Sequence, residues 1–190
     1  RNTENTLDAV NINMEVIKKK LSVLKPHKAM GCDDVHPRVL KELADSIKEP
    51  LSIIFAESLR SGELPAVWKR ANISAIHKKG SKSHAYNYRP VSLTSAVCKV
   101  MEAIIREQVL EYLRTNDLLR DEQYGFVPKR STSLQLLFVI EEWLEWLEEG
   151  GYIDVIYMDF KKAFDSVPHQ RLGLKLKAHG IKGPVPSYSG

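Results

Sequence analysis

The chain has 190 residues, 43% of them hydrophobic and 27% charged, a balance that excludes a disordered or low-complexity protein and suits one sizeable core. No run approaches the roughly 18 apolar residues of a membrane span, no signal peptide opens the chain, and its cysteines, Cys32 and Cys98, form no framework, so an intracellular protein, nuclear or cytoplasmic, is expected. The net charge is +4, but seven basic residues and no acid lie between Leu64 and Met101, a block suited to phosphate.

The first 12 residues carry no pattern and read as a mobile terminus. Met14, Ile17, Leu21 and Leu24 recur at helical spacing and predict an amphipathic helix over 13–24, ended by Lys25-Pro26. The segment KPHKAMGCDDVHPRVL follows, with Lys25 and Lys28 either touching phosphate or lying in a solvated loop. Cys32 and His36 have the spacing of half a metal site, with no second half in view. Val39, Leu40, Leu43 and Ile47 predict a second helix that Pro50 breaks or restarts and Gly62 stops. Pro65 and Trp68 come next, the Trp read as a packing anchor.

Residues 71–78 (ANISAIHK) and 90–94 (PVSLT) alternate as strands around a basic, Tyr-bearing loop that turns at Gly80. Thr94 or Ser95 caps a long helix to about Arg114, with Val97, Met101, Ile104, Ile105, Val109 and Tyr112 as its stripe. The loop 116–130 contains DEQYGFVPKRST; Ser131 or Thr132 caps the next helix, which runs to about Glu149 with Leu134, Leu137, Leu144 and Leu147 inward.

Residues 152–160 alternate as a strand, with Ile153, Val155, Tyr157 and Asp159 on one face. Asp159 closes an apolar row, where a carboxylate is costly unless a cation satisfies it. A divalent metal is one answer and a surface Asp the other. Ser166 and Pro168 start a last helix that stops at Gly180. No internal repeat is present.

The segment MDFKKAFDSVPH resembles the first catalytic motif of reverse transcriptases from non-LTR (LINE-type) retrotransposons, the jockey-like group in particular. Further segments resemble motifs of that family in the same order: the KPHKAMGCDD loop, with Cys32 for the usual Pro and Asp34 for the usual Gly; the P-x-x-W element; SAIHKKG and NYRPVSL; and DEQYGFVPKRST, with Val127 for the usual Arg and Lys129 for a common Gly. Single matches are weak, but several in order are specific.

The resemblance implies an α+β fold: right-hand polymerase fingers plus an incomplete palm, mostly helical, with a basic hairpin and one palm strand carrying the catalytic Asp. Residues 1–94 would hold an N-terminal extension and fingers, and 95–190 a helical region and a palm cut before the Tyr-x-Asp-Asp motif. The sequence is therefore expected to be a fragment. It implies RNA-directed DNA polymerisation: nucleotidyl transfer from deoxynucleoside triphosphates onto a DNA primer along an RNA template, with two Mg²⁺ ions. Asp159 would be the catalytic and metal-binding carboxylate, with the Phe160 carbonyl as a second ligand. Lys78 and Arg89 would hold the triphosphate, Lys79 being a one-residue rival to Lys78. Backbone amides near Lys162 and Ala163 would meet the same phosphates, and Phe164 would exclude a 2′-hydroxyl, core packing being its other reading. Lys28, Lys79 and Arg130 would contact nucleic acid, and Asp165 would cap a helix. With one of three expected carboxylates and the rest of the polyprotein missing, the chain alone is expected to be inactive. The alternatives are a non-catalytic nucleic-acid-binding remnant, an intron-maturase-like protein and an unrelated helical scaffold.

Overall fold

The structure, a computed structural model, describes residues 4–160 and 163–182. Six helices and one hairpin follow in order: α1 (Met14–Ser22), α2 (Pro37–Glu42), α3 (Ala44–Ser61), β1 (Asn72–His77), β2 (Tyr88–Leu93), α4 (Ala96–Thr115), α5 (Thr132–Glu148) and α6 (His169–Ala178). The class is thus α+β, with a two-stranded antiparallel sheet.

The core lies where α1, α3 and α4 meet. Ile17 and Leu21 of α1, Leu51 and Phe55 of α3, and Val97, Val100, Met101 and Ile104 of α4 are buried together. Trp68 stands edge-on to Phe55, with ring centroids 5.9 Å apart at 67°, and closes the core from the short turn Ala66–Lys69. Asn13 accepts a hydrogen bond from the Glu15 amide at the start of α1, and Ser95 accepts from the Val97 and Cys98 amides at the start of α4. Gly62 ends α3 in the left-handed conformation (φ 72°), its N–H donating to the Ser58 carbonyl.

Four expectations change. The helix break falls at Leu43, and α3 runs unbroken through Pro50. Pro50 and Ser46, whose carbonyl loses its helical donor, are both exposed, so that oxygen faces solvent rather than the core. The N-terminal segment is tied down rather than loose. Leu7 bridges Ile181 in parallel, and the Gln108 amide both accepts from the Asn11 N–H (2.8 Å) and donates to the Asn11 carbonyl (2.7 Å). Gln108 lies 97 positions from Asn11 and Ile181 lies further still from Leu7, which no local pattern reveals.

The third change concerns α5. Leu134, Leu137, Leu144 and Leu147 all remain exposed, as do Leu136, Phe138, Ile140 and Trp146 on its other sides. So broad an apolar surface is built to be covered; no residue of α5 is buried. The fourth is the strand over 152–160, which does not form: residues 151–160 join no ladder, and Tyr152, Ile156, Tyr157, Met158 and Phe160 are exposed. A strand needs a hydrogen-bonded neighbour, and among the described residues the only sheet is the β1–β2 pair.

Candidate active site

The hairpin supplies the cations. Its register pairs Ile76 with Arg89 and His77 with Tyr88. Beyond β1, the Lys78 N–H donates to the Asn87 carbonyl at 2.8 Å, which carries the ladder one residue further. Directly opposed residues share a face, so Lys78, opposite Asn87, lies on the face of Ile76 and Arg89, as their diagonal neighbour. Lys79 follows in the bend that leads to Gly80, past the last paired residue. Among the described residues, none of Lys78, Lys79, Lys82 and Arg89 has an ion-pair partner.

The tip between the strands is organised by its own side chains. Gly80 turns at φ 79°, and a Cβ there would meet the Asn87 side-chain nitrogen at 2.8 Å. That nitrogen donates to the Ser81 carbonyl (2.7 Å), and the Tyr88 hydroxyl donates to the Lys82 carbonyl (3.0 Å). His77 packs edge-on to Tyr88 at 5.3 Å, and His84 stacks on Tyr86 at 5.2 Å. Ile73 and Ile76 remain exposed, so the hairpin stands as a ribbon open on both faces.

Asp159 is exposed, and no hydrogen bond or ion pair among the described residues joins it to Lys78 or Arg89. The described residues contain no group of three His, Cys, Asp or Glu side chains arranged to hold a metal. The local donor set is one free carboxylate and the carbonyl of exposed Phe160. Mg²⁺ takes oxygen donors and keeps several waters, so this set fits one hydrated ion; two closely spaced ions need further carboxylates. Lys162 lies outside the described residues. Ala163 and Phe164 sit in an exposed turn over 163–166 that leads into α6.

The loop before α5 holds what the sequence did not disclose. Arg130 folds back into it. Nη1 donates to the carbonyls of Arg120 (3.3 Å), Asp121 and Gln123 (2.8 Å), Nη2 approaches the Asp121 carboxylate (3.4 Å), and the guanidinium lies 5.3 Å from the Tyr124 ring centroid. Ser131 caps α5, accepting from the Leu134 amide. Lys28 is exposed in its turn without an ion-pair partner among the described residues. The Cys32–His36 half-site dissolves: the Cys32 thiol donates to the carbonyls of Val67 (3.2 Å) and Arg70 (3.0 Å), while His36 Nδ1 caps α2.

Comparison with known proteins decides the family. The family described as reverse transcriptase (RNA-dependent DNA polymerase) matches residues 76–188, from the end of β1 through α6. The chain belongs to the reverse transcriptase family. It is 32% identical over 167 residues, 87% of its length, to the RNA-directed DNA polymerase from mobile element jockey of Drosophila melanogaster. It is 33% identical over 179 residues, 94% of its length, to the Drosophila funebris jockey polymerase. It is 24% identical over 130 residues, 68% of its length, to a retrovirus-related Pol polyprotein from the type-1 element R2 of Popillia japonica. The chain spans 18 to 19% of the length of these three relatives. Among the described residues, no helix of this reverse transcriptase segment is long and apolar enough to cross a membrane.

Proposed function

We propose that this segment is the fingers and the opening part of the palm of a non-LTR retrotransposon polymerase, and that the complete enzyme copies RNA into DNA from deoxynucleoside triphosphates. The observation that carries the reading is the hairpin register, which puts Lys78 and Arg89 on one face with no acidic partner among the described residues. In this reading residues 1–94 carry the N-terminal extension and fingers, and 95–190 the helical fingers/palm region and the start of the palm.

Arg89 offers a planar fork to phosphate oxygens and Lys78 a mobile point charge, so together they grip a triphosphate. Backbone amides near Lys162 and Ala163 meet the same phosphates. Asp159 and the Phe160 carbonyl hold a divalent metal, Mg²⁺ by donor chemistry. That metal, with a second one, supplies charge neutralisation at the attacking and leaving oxygens. The Phe164 ring occupies the space a 2′-hydroxyl needs, so ribonucleotides are rejected. Lys28 and Lys79 contact template or primer phosphates, and the RNA template, DNA primer and remaining polyprotein are the partners. The exposed apolar surface of α5 and 152–160 supports a site completed by further protein.

The test is nucleotide incorporation by the complete polymerase. Arg89→Ala and Lys78→Ala each raise the KM for deoxynucleoside triphosphate by roughly 10- to 100-fold, the worth of a charge-assisted hydrogen bond, and Lys79→Ala does so far less. Asp159→Ala abolishes synthesis. Equal effects at Lys78 and Lys79 would overturn the assignment. The 190-residue chain alone does not extend a primer, because one carboxylate holds two metals poorly; Mg²⁺-dependent extension by it would reverse that statement. The basic block favours a second reading, a nucleic-acid-binding remnant. A complete reading frame that binds primer–template salt-sensitively but never incorporates nucleotide selects it.

A further inference from the structure

Phe126 and Phe164 come from different loops, 38 positions apart, and meet edge to face, with ring centroids 5.8 Å apart at 87°. Both rings are otherwise bare: Phe126 is 82% exposed and Phe164 77%. Among the described residues Phe164 meets no other aromatic ring. Phe126 holds φ at 64°, a left-handed backbone that a bulky residue seldom adopts. Burial of its side chain does not explain that backbone. The loop does. Arg130 grips the carbonyls before Phe126, the Gln123 amide donates to the Gly125 carbonyl at 2.8 Å, and the Arg130 N–H donates to the Val127 carbonyl at 3.2 Å. The chain is thus tied on both sides of Phe126, whose ring edge reaches the other loop.

We propose that Phe126 is a positioning residue for sugar discrimination: its ring braces Phe164 in the orientation that blocks a 2′-hydroxyl. This rests on the reading of Phe164 as the residue beneath the sugar. A ring fixed on one side by the turn at 163–166 and on nothing else can rotate away from an incoming ribose. An edge-to-face partner on an independently anchored loop restricts that rotation. Discrimination then depends on two loops holding their relative position.

The test is single-nucleotide incorporation by the complete polymerase on a primer–template, with CTP against dCTP. Wild type is compared with Phe126→Gly, Phe126→Tyr, Phe164→Ala and the Phe126→Gly/Phe164→Ala double variant. Phe126→Gly removes the ring and also relieves the left-handed backbone, so it is not expected to unfold the loop. It should raise the ratio of kcat/KM for CTP over dCTP by about tenfold, in line with one aromatic pair, with dCTP incorporation within about threefold of wild type. Phe126→Tyr should match wild type. The double variant should match Phe164→Ala alone, since bracing acts only through that ring. If Phe164→Ala relaxes discrimination and Phe126→Gly does not, or if the two effects multiply, the bracing role is overturned and the Phe164 assignment stands. If Phe164→Ala itself leaves the ratio unchanged, the assignment beneath the sugar falls, and the bracing role with it.

Discussion

Gly31 lies against the backbone of Thr94: a Cβ at Gly31 would sit 2.6 Å from the Thr94 carbonyl carbon and oxygen, and 2.7 Å from the Ser95 nitrogen. The loop between α1 and α2 therefore closes directly over the junction of β2 and α4. Ser95 is fully buried beneath it while capping α4. Only a residue without a side chain permits that approach, and the obstacle is backbone, which cannot rotate aside. Gly31→Ala should destabilise the chain by about 1–3 kcal/mol through forced backbone displacement. Urea denaturation of the two proteins measures it. A midpoint within error of wild type would mean the loop is not held against Thr94.

Asp34 and Lys129 both carry left-handed backbones, at φ 55° and 66°. Both stand where the family pattern has Gly. The backbone here is left-handed without the residue that adopts it freely. Left-handed backbone costs an L-residue roughly 1–2 kcal/mol, Asp less than Lys, while a new Gly gains unfolded-chain entropy worth about 0.4–1 kcal/mol against it. Lys129→Gly should raise stability by up to about 1 kcal/mol, and Asp34→Gly should be close to neutral. Val at either position should cost about 1–2 kcal/mol. Thermal melts of the four variants give the order, and a Val variant as stable as its Gly counterpart would contradict the strain.

These two positions show what a sequence can disclose. A departure from a Gly-bearing pattern located Asp34 and Lys129, but nothing marked Phe126, left-handed without a Gly precedent. The hairpin was legible because alternation, Gly80 and local pairing all act within about twenty residues. The helices α1, α3 and α4 were legible because their stripes meet one another in the core. The stripe of α5 was as clear, yet among the described residues no layer covers it. The 152–160 alternation failed as a strand for the same reason: periodicity states which residues want cover, not whether the cover is at hand. Arg130 was read as a phosphate ligand because Arg beside Ser and Thr permits it. That the carbonyls of 120, 121 and 123 converge on it follows from the path of the loop, which composition does not encode.

Asp45 joins α3 to α1 through two lysines. Lys18 Nζ lies 2.7 Å and Lys48 Nζ 3.0 Å from the same carboxylate oxygen, and Lys48 also reaches Glu15 at 2.8 Å. The hydrogen bond from Lys18, then that from Lys48 and the charges of both, lower the Asp45 pKa to about 2. The Lys48 hydrogen bond and charge likewise lower that of Glu15. A depressed carboxylate contributes stability that is complete above its unfolded pKa, near 4, and is lost as pH falls through the folded one. Stability should therefore decline between about pH 4 and pH 2. Asp45→Asn should flatten that decline, as should high salt, since the cluster is solvent-facing. Urea midpoints measured across this range test it. An Asp45→Asn slope identical to wild type would remove Asp45 from the acid response.

Arg130 is the fixed point of the loop that carries Phe126, and its replacement separates a loop role from a phosphate role. One Nη meets three carbonyls, the other approaches the Asp121 carboxylate, and the plane faces Tyr124, a combination that needs two nitrogens on one flat group. A lysine ammonium is a single point and cannot both reach those oxygens and present a planar face to the ring. Arg130→Ala should release these carbonyls to water, cost about 0.5–1.5 kcal/mol, and speed hydrogen exchange at the amides of 120–127. Arg130→Lys should resemble Arg130→Ala rather than wild type in that exchange. If the guanidinium is committed to the loop, the salt dependence of primer–template binding should keep its slope in both variants, because no phosphate contact is lost. Should Arg130→Ala instead leave the amides protected while the slope falls by about one charge, Arg130 contacts the nucleic-acid backbone and the loop is held by other groups.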